Sequence, residues 1–163
     1  MFENSPEAIK KKIQEIFNLH FRSHLDYVHG LWTNDQIELE NYRDIFLGSA
    51  TSVKEIKAWP SLAILSSDVY ATEVSQQGKV MTWNTQVYLR TFVRDSNVTR
   101  LDKILDRYLQ AQLHMFDNYP ASNLDGIAKS LDFMRYEPTS SILPTGASIF
   151  IRGMETQWEV RHR

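Results

Sequence analysis

The stretch at residues 79–93 most constrains the fold of this chain, because its side chains alternate in character over its whole length. One face carries Met81, Trp83, Thr85, Val87, Leu89 and Val93, and the other carries Gln86, Tyr88, Arg90 and Phe92. Alternation with a period of two predicts a β-strand, since successive side chains point to opposite faces of a sheet. A strand of about a dozen residues with a mixed second face is expected in the middle of a sheet.

The segment that follows predicts an amphipathic α-helix. Its apolar residues recur at intervals of three and four: Leu101, Ile104, Leu105, Tyr108, Leu109, Leu113 and Phe116. Ser96, Asn97 and Thr99 offer oxygens for the N-cap, and Thr99 with Asp102 predicts a capping box. Asp102 and Asp106 are expected to face solvent. A helix with one apolar face must be covered, and the neighbouring sheet is the expected partner.

A second, longer helix is predicted at the start of the chain, over about residues 6–29. Ser5, Pro6 and Glu7 form a helix-start signature of N-cap, proline and acidic first turn. Its apolar stripe consists of Ile9, Ile13, Ile16, Phe17 and Phe21, extended by Val28 and Leu31. Gly30 is the predicted stop.

Two further strands are predicted before the long alternating one. Residues 59–66 form an apolar run that is expected to be buried on both faces, and residues 69–74 alternate weakly. Residues 67–93 therefore predict a hairpin, in which Gly78 takes the positive φ of the turn.

Residues 33–58 show the weakest pattern, and we expect an irregular region or an insertion there. Within it, residues 44–48 are predicted to form a short strand. Residues 52–57 are predicted to form a single helical turn or a loop.

The last third of the chain predicts more strands. Residues 131–136 and 147–152 alternate, and residues 156–160 are expected to continue the second strand after a kink at Gly153. Residues 138–146, with two prolines and several hydroxyl side chains, are predicted to form an exposed loop. The order of elements predicts an α+β fold with a mostly antiparallel sheet of about four to six strands, packed by two main helices.

Length and composition exclude several classes of protein. A chain of 163 residues suits one domain over residues 1–163. A net charge of −2 argues against a dedicated nucleic-acid binder, which normally shows a basic face. The absence of cysteine excludes disulfides, a thiolate nucleophile and a cysteine-ligated zinc, and is typical of a reducing cytoplasm. No signal peptide and no membrane-spanning segment are predicted, so no membrane partner is expected.

His20 and His24 are the sharpest candidates for a metal or catalytic site. Two histidines four residues apart share one helix face and can share a metal, as in zinc proteases. The glutamate that would serve as general base is replaced by Phe21, and both histidines are expected to project into the apolar stripe of the first helix. The possible third ligands are expected to point elsewhere: Asp26, His29 and His114. The sequence therefore predicts no metal site.

Other catalytic patterns are weaker still. The chain has no Gly-x-Ser-x-Gly elbow and no phosphate-binding glycine loop. Ser66, Ser67 and Ser130 have no sequence context that places a histidine beside them, nor do residues 140–141. The aromatic content of 12% is explained by core and interface packing. We therefore expect a protein that is not an enzyme, with no catalytic, cofactor-binding or metal-binding residues.

The order of features resembles that of a known family. The features are the long N-terminal helix, the strand opened by Trp59-Pro60, the hairpin with a long alternating strand, the helix with Leu101-x-x-Ile104-Leu105-x-x-Tyr108-Leu109, and closing strands with Ile149-Phe150-Ile151 and Trp158. Taken together, over roughly residues 1–160, the chain resembles the tail terminator and tail-to-head joining proteins of long-tailed bacteriophages.

The resemblance implies a structural virion protein assembled in the host cytoplasm. Such proteins form a ring, usually a hexamer, that caps the tail tube and fixes its length. The ring then joins the tube to the head connector, and DNA passes through it without sequence-specific binding. Two alternatives remain: another neck or head-completion protein, or, from a different class, a small-ligand-binding or enzymatic α+β domain.

Overall fold

The computed structural model describes residues 4–48, 56–138, 143–144 and 148–163. Two helices cover one face of a sheet that has six strands in this part of the chain. The elements are α1 (Pro6–Leu31), β1 (Asp44–Leu47), β2 (Ser61–Val74), β3 (Val80–Asp95), α2 (Val98–Phe116), β4 (Ala128–Pro138), β5 (Leu143–Pro144) and β6 (Phe150–His162). A short 3-10 helix, Ala121–Asn123, lies between α2 and β4.

The strand order is β1-β2-β3-β6-β4, and β5 pairs with the beginning of β6. β1 runs parallel to β2, and the other pairs are antiparallel. The long alternating strand, β3, lies between β2 and β6, as predicted. The expected α+β fold with a mostly antiparallel sheet is confirmed.

The core lies between the helices and one face of the sheet, called the inner face below; the opposite face is called the outer face. Val87, Leu89 and Val93 of β3 are buried on the inner face, so the predicted alternation of this strand holds in its second half. Met81, predicted to lie on the same buried face, is 56% exposed at the beginning of β3. The residues of α1 that pack on this core are Ile9, Ile13, Ile16, Phe17, Phe21, Leu25 and Val28.

The prediction of two separate strands at residues 59–66 and 69–74 is wrong. They form a single strand, β2, whose register shifts between Ser66 and Val69. A bulge inserts extra residues without ending the strand, and this explains why the alternation is interrupted there. The turn after β2 is as predicted, with Gly78 at φ +79.

The kink predicted at Gly153 is also wrong, since β6 runs through this position without a break. The glycine has a packing role instead: a Cβ atom here would lie 3.1 Å from the Phe92 ring and 3.1 Å from the Thr91 carbonyl oxygen. Gly153 therefore makes room for an aromatic ring on the neighbouring strand.

The ends of the two helices differ in detail from the predictions. α2 is capped by Asn97, whose side chain accepts a hydrogen bond from the Thr99 backbone N–H at 3.0 Å. The predicted Thr99 capping box does not form, because Asn97 is the N-cap and Thr99 lies inside the helix. The Asp102 carboxylate binds Arg152. α1 continues through Gly30 and ends at Leu31.

The weakly patterned region 33–58 contains the predicted short strand, β1. The segment before β1 has no regular structure but is not a loose insertion, since Ile37, Leu39 and Tyr42 are buried in the core. Residues 52–55 of the predicted helical turn lie outside the described residues, as does most of the predicted loop 138–146.

Candidate functional site

The two helices meet at a histidine pair that sequence reasoning missed. His114 was expected to point outward from its own helix, but it faces α1, where its Nδ1 lies 2.7 Å from the Nδ1 of His24. The ring of Tyr27 stacks on His114 with a centroid distance of 4.0 Å. Burial lowers the pKa of His24, and the nearby His114 and His20 lower it further. At this contact one Nδ1 carries the hydrogen and the other accepts it.

This cluster does not meet the requirements of a metal site. No group of three histidine, aspartate or glutamate side chains that could hold a metal ion occurs in the described part of the chain. Tetrahedral zinc sites use at least three protein ligands, so a histidine pair alone falls short. That the protein binds no obligatory metal stays a prediction.

A second link between the helices lies at the end of α1. Both terminal nitrogens of Arg107, a buried residue, bind the carboxylate of Asp35. This pairing lowers the pKa of Asp35 to about 2. The same guanidinium lies over the Trp32 ring at 5.3 Å, and the Trp32 Nε1–H donates to Gln110 at 3.0 Å. These contacts fix the chain where it leaves α1.

A buried polar network holds α2 to the sheet. The Gln112 amide donates to the Tyr42 hydroxyl at 3.1 Å and accepts from the Thr156 hydroxyl at 2.9 Å. Tyr42 and Thr91 share a hydrogen bond of 2.6 Å, and the Trp158 Nε1–H donates to Thr156 at 3.0 Å. Burial raises the pKa of Tyr42, so its hydroxyl stays protonated. A glutamine inside an otherwise apolar helical stripe is the sequence signal that could have revealed this network.

A cavity of about 370 Å³ opens between the end of β3, the start of α2 and the segment that precedes β1. Its walls carry three arginines and three acidic residues, with Trp59, Ile104 and Tyr108 among the other lining residues. The guanidinium of Arg94 lies 5.8 Å from the centre of the Trp59 ring. The cavity is therefore polar and charged rather than deep and apolar.

Two of the three arginines in this cavity are already paired. Arg43 binds Glu40 at 3.0 Å, and Arg100 binds Asp95 at 3.6 Å. Arg94 makes no ion pair with a carboxylate of the described residues. An anionic group that enters the cavity would therefore meet the Arg94 guanidinium, which no carboxylate of the described residues binds.

The outer face of the sheet carries a polar network centred on Glu159. Its carboxylate accepts hydrogen bonds from the Tyr70 hydroxyl at 2.6 Å, from the Asn84 amide at 2.6 Å and from the Gln86 amide at 2.8 Å. The Gln157 amide donates to Gln86 at 2.7 Å. This part of the outer face presents hydrogen-bonding groups of small net charge.

The two edges of the sheet lack backbone partners in the described part of the chain. On one side, β1 covers β2 only up to Ile64, which leaves residues 65–74 as a free edge. On the other side, β4 pairs with β6 alone. Large apolar side chains are exposed on both edge strands: Tyr70, Val74, Phe133 and Met134.

The remaining candidates from the sequence lie apart from one another. The Ser67 hydroxyl donates to Tyr88 at 3.3 Å, and the Ser130 hydroxyl donates to Asp132 at 3.2 Å. Asp106 is exposed, as predicted. Residues 140–141 lie outside the described residues.

Comparisons with known proteins give no family. No protein-family model matches the chain, and no curated protein sequence matches it. Neither of the two described helices is long and apolar enough to cross a membrane.

Proposed function

We propose that this protein is a structural subunit of a phage virion, a tail terminator that forms a ring on the tail tube and joins it to the head. One observation carries the proposal: in the described part of the chain, two different strand edges lack a backbone partner, β2 at residues 65–74 and β4, on opposite sides of the sheet. A closed ring of identical subunits needs two such different surfaces, because each subunit gives one and receives on the other.

The exposed side chains on the two edges support this assignment. Tyr70 is 42% exposed on one edge strand and Phe133 is 40% exposed on the other. Large aromatic side chains are enriched at protein interfaces, where a partner covers them. By resemblance, the ring is a hexamer and its partners are the tail tube protein and the head connector.

The small net charge suits a ring through which DNA passes. Each phosphate contact with lysine or arginine strengthens binding by counterion release, so a basic lumen would hold the duplex. A chain of net charge −2 offers few such contacts, and Arg90 on its outer face is paired with Glu155. In this proposal the protein has no catalytic role.

The test is to image phage that lack this protein. We expect overlong tails that fail to join heads. Tails of normal length that still join heads would overturn the proposal. If tails have normal length but remain separate from heads, the protein is a head-completion or connector component rather than a terminator.

A small-ligand-binding role is the second candidate, and the charged cavity beside Trp59 and Arg94 favours it. In that case the protein is a monomer that binds a small anion. Titration with inorganic phosphate and with a dicarboxylate, followed by tryptophan fluorescence, tests this role. Saturable binding that an Arg94→Gln variant loses would support it, and unchanged fluorescence for both ligands would reject binding of either.

A further inference from the structure

We propose that the free edge of β2 in one copy of this chain pairs with β4 of the next copy, in antiparallel orientation, so that the sheet continues from subunit to subunit. The inference rests on the proposed ring and specifies which strands form its interface. The partner is thus a second copy of this chain.

The strand directions within the sheet favour this pairing. β3 is antiparallel to β2 and to β6, and β4 is antiparallel to β6. It follows that β2 and β4 run in opposite directions. A rotation about an axis along the strands keeps these directions, so β4 of one copy meets β2 of the next as an antiparallel pair.

The two edges also match in height along the strands. Val69 of β2 pairs with Thr85, which pairs with Val160, which in turn pairs with Leu131 of β4. Val69 and Leu131 therefore lie at the same height on opposite edges. Thr85 and Val160 are buried on the inner face, so both edge residues belong to that face.

Ser66 of β2 and Phe133 of β4 also lie at the same height on opposite edges. Ser66 pairs with Val87, which pairs with Trp158, which pairs with Phe133. Phe133 contacts Trp158 edge-on with ring centroids 5.2 Å apart, yet it is 40% exposed. Part of the inner-face core is thus exposed at the β4 edge, and a neighbouring strand would cover it.

Both edges contain bulges, which restrict the strands that can pair with them. The register shifts between Ser66 and Val69 in β2, and between Phe133 and Arg135 in β4. Bulged edges resist pairing with arbitrary strands, and this protects a free subunit from aggregation. A copy of the same chain approaching at the correct height is the partner that this geometry admits.

Cysteine cross-linking tests the pairing, because the chain has no cysteine of its own. In the full-length chain at high concentration, Val69→Cys combined with Leu131→Cys should give, on oxidation, a ladder of multiples of 19.0 kDa. Directly opposite residues of an antiparallel pair have the Cα separation that a disulfide needs. A second pair on the outer face, Tyr70→Cys with Ser130→Cys, repeats the test without touching the core.

The controls separate this interface from others. Glu15→Cys with Lys103→Cys, on exposed helix positions, should give no ladder. Dimers formed by Val69→Cys alone or by Leu131→Cys alone would show that like edges pair with each other, and would overturn the inference. Thermal unfolding of each variant checks that it is folded.

Native mass spectrometry of the unmodified chain separates the two proposals. Rings without cross-links in either cysteine pair would overturn the strand pairing and leave the ring intact. A chain that stays monomeric and gives no cross-links would contradict both.

Discussion

His24 and His114 meet across α1 and α2 with their Nδ1 atoms 2.7 Å apart, so one of them donates a proton that the other accepts. Protonation of the accepting nitrogen would turn two N–H groups toward each other and break this hydrogen bond. The packing of the two helices is therefore sensitive to mildly acidic pH.

The pKa of His24 is lowered from 6.5, chiefly by burial, so the folded chain binds a proton there more weakly than the unfolded chain does. Stability from this group is fully present above about pH 6.5 and decreases as the pH falls below that value. We expect the urea midpoint to drop between pH 8 and pH 5.5, and a His24→Asn variant to show a smaller drop. Burial also lowers the pKa of His162, and this residue accounts for part of the drop that remains in the variant.

His29→Gln is the matched control for this prediction, because His29 is exposed on the same helix. Between pH 8 and pH 5.5, the urea midpoint of the His29→Gln variant should drop by as much as that of the unmodified chain. An equal drop in the His24→Asn variant would show that the histidine pair does not govern the response.

Asp35 should make the protein sensitive to strong acid. Pairing with Arg107 lowers the pKa of Asp35 from 3.8 to about 2. Stability from this carboxylate is present above pH 3.8 and is lost as the pH falls toward 2. An Asp35→Asn variant should be less stable at pH 5 and should lose less stability between pH 4 and pH 2, measured by urea unfolding.

Asp26→Asn is the control for Asp35, since Asp26 forms an exposed ion pair with Arg22. Such pairs contribute little to stability. If Asp26→Asn and Asp35→Asn change the acid response equally, the Arg107 contact has no special role.

Truncation of Gln112 should lower the free energy of unfolding, although this residue is polar. A Gln112→Ala substitution removes the groups that bind Tyr42 and Thr156 in the core. Tyr42 keeps its hydrogen bond to Thr91, but the Thr156 hydroxyl loses its acceptor in the core. An unmet hydrogen-bonding group in the core costs about 1–3 kcal/mol. We expect chemical denaturation of Gln112→Ala to show a free energy of unfolding that is lower by at least this amount. Lys103→Ala, on the exposed side of α2, should change the free energy of unfolding by no more than about 0.5 kcal/mol. Similar losses for the two variants would contradict a structural role for the network.

Alanine substitutions in the apolar stripe of α2 should lower the free energy of unfolding more at its buried centre than at its margin. Leu105 is 1% exposed, whereas Leu109 is only partly buried at the margin of the core. Leu105→Ala is expected to cost about 2–5 kcal/mol, and Leu109→Ala less. Asp106→Ala, which faces solvent, should stay within about 0.5 kcal/mol. Equal costs at positions 105 and 106, measured by urea unfolding, would mean that the opposite face of α2 is buried.

Local patterns in the sequence determined the main elements of this protein. The helical spacing of apolar residues located α1 and α2, and the alternation at 79–93 located the central strand, because these periods follow directly from backbone geometry. The turn at Gly78 was predictable for a similar reason, since glycine readily adopts a positive φ.

Contacts between residues distant in the chain were decided by the tertiary structure. The pairing of His24 with His114 joins residues 90 positions apart, and that of Arg107 with Asp35 joins residues 72 apart. Side-chain period gives the face of a helix but not the angle at which two helices cross, so His114 was predicted on the wrong side.

The continuity of strands was decided in the same way. A bulge at Ser66 and a glycine at 153 both resemble breaks in sequence, yet β2 and β6 run through them. In β2 the neighbouring strand β3 pairs with the residues before and after the bulge. In β6 the ring of Phe92 occupies the space that Gly153 leaves. The sequence thus determined which segments form helices and strands, whereas the free edges of β2 and β4 became visible only once the sheet was assembled, because strand order depends on long-range pairing that no local pattern encodes.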